Sequence, residues 1–336
     1  MTAPAFPTFR AGLADSMITL LICLGISMPG MVMAQGAGTP VIAWLSPDGD
    51  RYSRAGFDGF TAGLRNLGLA DGRNIRITPY WAMGSDAKLE QMARAAVRSR
   101  PAIIVTQTKA VFQAKAAGAD MPVVFGFSGD PVVGKLVSSL ARPGGNYTGV
   151  SLMSLELVGM RMQVLKELLP QLRRVGVMAN PGHPGEEAER HASEAAARQL
   201  GLEIDYHPVR NKEDVERALE AIARAGNGAI LLFPDNGTLR YSKRIADFSK
   251  KTRIPAISGW AEFADRGNLA SYGPDLRESY GSLSGYVDKI LKGAKPGELP
   301  VQLPSRVELV VNLKTARAIG LKVPRSVLLR ANRVIE

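Results

Sequence analysis

Polar side chains recur at the carboxyl ends of predicted strands in both halves of this 336-residue chain. In open α/β sheets those ends border the crevice in which ligands bind. Hydroxyls, amides and helix N-terminal N–H groups suit a small polar solute, especially a carboxylate, and the carboxylate of Asp235 suits a ligand ammonium. The candidate ligand-binding residues at these ends are Ser46, Thr106, Ser128, Asp130, Asn180, Asp235, Asn236 and Ser258.

Several candidates also have a purely structural interpretation. Asp130 precedes Pro131, which is the order of a helix N-cap and first helical position, so capping alone accounts for it. Asp235-Asn236-Gly237 is an ordinary turn sequence as well as a binding candidate. Tyr272 is a candidate for packing against a ligand ring, although aromatic residues near strand ends more often belong to the core. The sequence leaves both interpretations open.

Motifs for covalent, metal or cofactor chemistry do not occur in the sequence. His183, His191 and His207 show no metal-binding spacing, and no nucleophile elbow, phosphate loop or dinucleotide fingerprint follows a strand. We therefore expect a protein that is not an enzyme and has no catalytic residues, metal or cofactor. The formal net charge of +11 is dispersed, without a basic stripe or a zinc pattern, so we expect no nucleic-acid partner.

The first 34 residues have the pattern of a secretory signal peptide. Met17–Val32 is apolar but short for a membrane span, and Val32-Met33-Ala34 is a small-x-small cleavage pattern. Cys23, the only cysteine, lies inside the apolar run without a small residue before it, so we expect no lipid attachment there. We predict cleavage after residues 1–34 and a periplasmic mature protein. A membrane anchor, or translation starting at Met17, remains an alternative.

Strands and helices alternate from Pro40 onward in two similar halves. Short apolar runs predict buried parallel strands, and apolar positions at helical spacing predict helices between them, including one that begins after Asp130. The fold class predicted is α/β, with two doubly wound Rossmann-like lobes joined by hinge strands.

The C-terminal part indicates that the chain crosses between the lobes more than once. The candidate hinge strands lie near Ser151, Ala270 and Leu303. The predicted division assigns 40–150 and 268–300 to lobe 1, and 155–265 and 305–336 to lobe 2.

Six longer strings resemble the ABC transporter substrate-binding proteins of the tryptophan/phenylalanine type, which have the periplasmic-binding-protein type I fold. Together the strings are specific for this family, whereas each string alone is weak evidence. The similarity covers about residues 40 to 335. The strings are GDPV at 129–132, SLARPGGNYTGVS at 139–151, RRVGVMANP at 173–181, LASYGPD at 269–275, VDKILKGAKPGELPVQLPS at 287–305 and ELVVNLKTARAIGL at 308–321.

The resemblance implies a periplasmic receptor, working as a monomer, that closes two lobes over a small solute and delivers it to an inner-membrane ABC permease. The solute would be small and polar, such as an amino acid or an aromatic carboxylate. The ligand-facing positions carried over are Ser46, Thr106, Ser128, Asp130, Asn180, Asp235 and Asn236.

This chain departs from the family after its third strand. Relatives usually have a small turn there that contains Gly and Pro, whereas this chain has Thr106-Gln107-Thr108-Lys109, so Gln107 and Lys109 would narrow or recharge the pocket. Two other functions stay open: a ligand-sensing binding protein that serves a signalling partner, and an enzyme on a doubly wound scaffold.

Overall fold

The computed structural model describes residues 38–183 and 185–336, and its strands form two sheets. The predicted signal peptide, with Cys23, lies outside the described residues and stays a prediction. None of the helices in the described residues combines the length and the hydropathy that a membrane-spanning helix needs.

The first sheet has five parallel strands, which are β1 (Val41–Ser46), β2 (Arg76–Trp81), β3 (Ile103–Gln107), β4 (Val123–Phe127) and β5 (Tyr147–Ser151). Their order is β2-β1-β3-β4-β5, the arrangement of a doubly wound sheet. Strands β3 and β4 are buried along their whole length, as their apolar sequences predict. The helices between these strands are α1 (Asp50–Asn66), α2 (Asp86–Arg98) and α3 (Ala110–Ala116).

The second sheet has seven strands, which are β6 (Arg174–Ala179), β7 (Glu203–Pro208), β8 (Ala229–Leu232), β9 (Ala256–Ser258), β10 (Ala270–Pro274), β11 (Val307–Asn312) and β12 (Arg333–Ile335). Their order is β12-β11-β10-β9-β8-β6-β7, and only β10 and β11 pair antiparallel. The remaining helices are α4 (Val158–Leu168), α5 (Glu186–Gln199), α6 (Lys212–Arg224), α7 (Asn236–Leu239), α8 (Ser242–Thr252), α9 (Ala261–Asp265), α10 (Leu276–Leu291), α11 (Leu313–Ala318) and α12 (Arg325–Arg330), with a short 3-10 helix at Pro296–Glu298. We call the part built on the first sheet the first lobe, and the part built on the second sheet the second lobe.

The chain passes between the lobes three times: after β5, between β10 and α10, and before β11. At the first and third passages the two segments touch, because Ser151 N donates to the Gln302 carbonyl (3.0 Å). These passages lie at or next to the three segments that the sequence indicated as hinge strands.

One strand differs from the predicted division of the chain. The range 268–300 was assigned to lobe 1, but β10 lies inside the second sheet between β9 and β11. Only the part after β10 returns to the first lobe: Tyr280 of α10 packs against Trp44 of β1 (6.0 Å between ring centroids) and donates its hydroxyl to the Gly126 carbonyl (3.2 Å). Local pattern predicts that a strand exists but carries no information about which sheet it joins.

The helix predicted after Asp130 does not form, so that prediction was wrong. Asp130 Oδ1 accepts hydrogen bonds from the N–H groups of Val132 and Val133 (2.7 and 3.2 Å), but they cap a single turn. Lys135 then adopts a left-handed conformation (φ 53°), which a continuing helix does not allow. Leu136 lies almost wholly buried in the core of the first lobe, so tertiary packing outweighs the helical spacing.

Glycines let α10 pack unusually closely against α1. A Cβ at Gly59 would overlap the carbonyl of Arg277, and one at Gly63 would lie 2.5 Å from the carbonyl of Gly281. Because the opposing atoms belong to the backbone, they cannot move aside as a flexible side chain would. Close packing at these two glycines therefore fixes α10, and the passages on either side of it, against the first lobe.

We expect Gly59→Ala to destabilise the protein by about 1–3 kcal/mol, because the added methyl group forces α1 and α10 apart. Urea denaturation followed by circular dichroism measures the change. The matched control is Gly285→Ala in α10, where an added Cβ meets nothing within 4 Å. That change should be neutral or stabilising by about 0.5–1 kcal/mol, because alanine favours the helix. Equal effects of the two substitutions would contradict the close packing at Gly59.

Arg161 joins two of the passages to the body of the second lobe. It lies in α4, fully buried, and its guanidinium donates to the backbone carbonyls of Ser154 (3.1 Å) and Tyr272 (2.9 Å) and to Glu189 Oε1 (3.0 Å). Ser154 lies in the first passage, and Tyr272 lies in β10 just before the second. Burial raises the pKa of Glu189, and the charge of Arg161 opposes that rise.

We expect Arg161→Met to cost about 3–5 kcal/mol of stability, because it leaves the Glu189 carboxyl buried without its partner. Urea denaturation at neutral pH measures the loss. The control is Arg94→Met, whose partner Glu90 is 55% exposed, and it should cost less than about 1 kcal/mol. A loss at Arg161 no larger than at Arg94 would show that the buried pair does not support the fold.

Candidate functional site

The carboxyl ends of the central strands of the two sheets face each other and form a cleft between the lobes. Side chains from the two lobes touch directly across it, so the cleft is closed in this structure. Two contacts define the closed arrangement: an ion pair between Asp48 and Arg240, and a hydrogen bond between Ser128 and His183.

Asp48 and Arg240 form a largely buried ion pair across the cleft. Asp48 follows β1 and is 1% exposed, and its Oδ1 accepts a hydrogen bond from Nη2 of Arg240, which follows α7. Among the described residues, Asp48 Oδ2 and Arg240 Nε have no hydrogen-bond partner. Burial raises the pKa of Asp48, the Arg240 charge opposes the rise, and the nearby Asp235 charge adds to it. Each partner of the ion pair therefore has one buried polar atom without a hydrogen bond.

Asp235 supplies a second buried carboxylate from the other lobe. It immediately precedes α7 and is 3% exposed, and its Oδ2 accepts a hydrogen bond from Asn180 Nδ2 (2.8 Å). Its Oδ1 is buried without a partner among the described residues. Two carboxylates with one unpaired oxygen each thus lie close enough to raise the pKa of Asp48, and a single arginine pairs with Asp48. This imbalance favours a bound cation, because burying an unpaired carboxylate oxygen costs free energy.

Ser128 and His183 make the second contact across the cleft. Ser128 follows β4, His183 follows β6, and Ser128 Oγ lies 2.6 Å from His183 Nε2. The imidazole stacks on the ring of Phe127, with 5.9 Å between centroids and 19° between planes. Both polar side chains are almost completely buried. Burial lowers the pKa of His183; Asp235 and Glu186 oppose the shift, whereas Lys109 adds to it.

Beside these contacts a cavity of about 220 Å³ opens between the lobes. The first lobe contributes Lys109, whose ammonium donates to Asp86 Oδ1 (2.5 Å). The second lobe contributes an amide, two guanidinium groups and a phenol, so the lining has more cationic than anionic groups. These residues are Asn180, Arg210, Arg240 and Tyr241.

The candidate residues from the sequence occupy different environments. Ser128, Asn180 and Asp235 come together at the cleft, and Asn236 begins α7 beside them. Thr106 is the last residue but one of β3, and its buried hydroxyl has no partner among the described residues; Ser258 is buried at the end of β9.

Three other candidates make structural contacts within one lobe. Ser46 donates its hydroxyl to Gln107 Oε1 (2.6 Å), and Asp130 caps its own turn. Tyr272 packs against the core of the second lobe.

In the turn after β3, a residue other than glycine adopts a left-handed backbone conformation. Thr108 has a φ of 44°, in the left-handed region that favours glycine, and its N–H donates to the Gly126 carbonyl (2.7 Å). Gln107 points back towards α1 and lies against Gly56, whereas Lys109 lines the cavity. Of the two residues expected to alter the pocket, only Lys109 is placed to do so.

Asp48, Arg240 and His183 belong to the site but are not among the ligand-binding residues predicted from the sequence. Asp48 follows the tip of β1 by two residues, and His183 follows the tip of β6 by four, so a wider search past each strand end would have included them. Arg240 had no such local signal because it lies beyond α7. In the part of the chain that the structure describes, no group of three or more His, Cys, Asp or Glu side chains could hold a metal ion.

Residues 41–335 match the family described as ABC transporter substrate binding protein. A tyrosine-binding protein from Clostridioides difficile (strain R20291) is 25% identical over 267 residues, which are 79% of this chain and 76% of that protein. A conserved domain protein from Vibrio cholerae is 28% identical with a TM-score of 0.83, over 88% of this chain and 100% of that one. The ABC domain from Streptococcus pneumoniae in complex with L-Trp is 23% identical with a TM-score of 0.82, over 89% of this chain and 100% of that one.

These likenesses confirm the predicted fold class, two α/β lobes of the periplasmic-binding-protein type I. The family match spans nearly all of the described chain, including both lobes and all three passages between them. The chain therefore belongs to the family of ABC transporter substrate-binding proteins.

Proposed function

We propose that this protein captures a free amino acid, with an aromatic one as the first candidate, and presents it to an ABC permease. The observation that carries the proposal is the pair of buried carboxylates, Asp48 and Asp235, each with one oxygen unpaired among the described residues. They come from opposite lobes; Arg240 donates to Asp48, and the charge of Asp235 acts on Asp48. A ligand that carries both an ammonium and a carboxylate complements this set.

The charges suggest how the amino acid would be oriented. Its ammonium would bind Asp48 and Asp235, and its carboxylate would bind Arg240, with Lys109 nearby in the same cavity lining. Charge-assisted hydrogen bonds of this kind are about twice as strong as neutral ones. Contacts from both lobes would stabilise the closed arrangement relative to an open one, which is the condition for a solute to drive closure.

Two relatives support an aromatic side chain on the solute. The C. difficile relative is named a tyrosine-binding protein, and the S. pneumoniae structure contains L-Trp. In this chain Phe127 and Tyr241 place aromatic rings at the cleft and its cavity. Aromatic rings favour offset-stacked or edge-to-face contacts, so these two side chains are the candidates for contacting the solute ring.

We further propose that the mature protein works in the periplasm as a monomer. Substrate-binding proteins of ABC importers act outside the cytoplasmic membrane, and the predicted signal peptide supports export to that compartment. A ligand-sensing role with a signalling partner is the alternative function of the same cleft.

One observation bears on the enzyme alternative, namely the Ser128–His183 hydrogen bond. A serine nucleophile needs a histidine whose nitrogen accepts its proton, with a third group orienting the ring. Here His183 Nδ1 accepts from the N–H of Gly185 (3.2 Å), so the neutral ring carries its proton on Nε2. Nε2 then donates to Ser128, which is the wrong direction for a general base. The pair therefore supports a binding protein that is not an enzyme.

The test is calorimetric titration with L-tyrosine and two analogues that each lack one charge. Tyramine lacks the carboxylate, and 3-(4-hydroxyphenyl)propionate lacks the ammonium. We expect L-tyrosine to bind and both analogues to bind at least about tenfold more weakly, which corresponds to about 1.4 kcal/mol. L-phenylalanine and L-tryptophan show which ring is preferred. Binding of the propionate as tight as L-tyrosine, or no binding of any amino acid, would overturn the proposal.

Asp235→Asn should lower the affinity for the amino acid at least about tenfold, because the amide removes the negative charge from the ammonium site. The same titration measures it, and circular dichroism checks that the fold is intact. The control is Asp120→Asn, a 65% exposed carboxylate paired with Arg100 on the surface. An unchanged affinity for Asp235→Asn would leave Asp235 with a structural role only.

A further inference from the structure

The hydrogen bond between Ser128 Oγ and His183 Nε2 (2.6 Å) joins two polar side chains from opposite lobes. The backbones also approach closely there: a Cβ at Gly129 would lie 3.3 Å from the Cα of Gly185. The stacking of Phe127 on the imidazole adds an apolar contact at the same place. Any separation of the lobes along this line breaks all three contacts and exposes His183 to water.

Hydrogen bonding determines the protonation state that fits this contact. His183 Nδ1 accepts from the N–H of Gly185, so the closed arrangement requires that nitrogen to be unprotonated. Adding a proton would place an N–H on Nδ1 facing another N–H, and the charged ring would be buried. Protonation therefore opposes closure, because only the closed arrangement buries the charged ring and holds Nδ1 against that N–H.

The charged groups around His183 do not cancel the effect of burial on its protonation. Asp235, before α7, and Glu186, at the start of α5, favour the protonated ring, whereas Lys109, before α3, disfavours it. Asp130, on the turn after β4, is engaged by the N–H groups that it caps. Burial is the largest influence, so the pKa of His183 lies below its ordinary value in the closed arrangement.

We propose that the His183–Ser128 contact is a proton-sensitive closure contact: the neutral imidazole holds the lobes together, and its protonation favours the open arrangement. Once the lobes separate, the solvated ring has an ordinary pKa near 6.5. Below about pH 6.5 the open arrangement then binds one more proton than the closed one, so acid favours opening. The closed-to-open ratio falls by up to about tenfold per pH unit in this range, until the lowered pKa of the closed arrangement is reached. Solute is consequently held less tightly in an acidic medium.

The test measures the distance between the lobes by double electron–electron resonance on residues 39–336, which form one compact unit without cysteine. Spin labels at Met83→Cys on the first lobe and Lys243→Cys on the second use side chains that are 65% and 82% exposed. Distances are recorded at about pH 8, 7, 6 and 5 without solute, so the result does not depend on which solute binds. We expect the population with short distances to decrease below about pH 6.5.

Substitutions separate a titrating role from a merely structural one. In His183→Gln the side-chain amide can still donate to Ser128 but does not titrate, so closure should persist at neutral pH and lose its pH dependence. His191→Gln on the exposed face of α5 is the matched control and should keep the pH dependence of the unmodified protein. The proposal is overturned if the distances do not change with pH, if His183→Gln retains the change, or if His191→Gln abolishes it.

Discussion

The buried ion pair between Asp48 and Arg240 is the interaction on which the closed cleft depends. Two charges that leave water lose several kcal/mol of solvation each, and their attraction repays this only when the remaining hydrogen-bonding groups are also satisfied. Here Asp48 Oδ2 and Arg240 Nε are left without partners among the described residues, and Asp235 adds a further unpaired oxygen. The ion pair orients the lobes relative to each other but leaves these buried polar atoms without hydrogen-bond partners. A solute that carries both charges would satisfy more of these atoms, which would make closure more favourable with solute than without it.

The rest of the fold restricts how the lobes can move relative to each other. Close glycine packing fixes α10 against α1, and Arg161 fixes the first two passages against the second lobe. The passages themselves are only a few residues long. Hinge motion in two-lobed proteins is absorbed by a few residues at the ends of such elements. The structure thus combines two stiff bodies with three short connections.

The two contacts across the cleft are proposed to respond to different ligands. We propose that the ion pair responds to the charges of a solute and that the neutral Ser128–His183 pair responds to protons. Asp48, Ser128 and His183 follow the carboxyl ends of strands, whereas Arg240 follows α7. The same closure can therefore be linked to solute concentration and to pH without a second binding site.

The fold and part of the site follow from local pattern. Apolar runs predict the strands, and the polar residues after them include Ser128, Asn180 and Asp235, all of which lie at the cleft. The helix predicted after Asp130 was wrong, because helical spacing does not reveal that Lys135 adopts a left-handed conformation. Local pattern also does not predict which sheet β10 joins, because that depends on its antiparallel pairing with β11.

The sequence by itself determined the alternation of strands and helices, and with it the edge of each sheet that carries polar residues. Only the tertiary structure decided which of those residues meet. Asp48 and Arg240 are 192 residues apart in the chain, and Ser128 and His183 are 55 apart. Secondary structure depends on neighbours within a few residues. A contact between lobes depends instead on how two separately folded sheets are brought together.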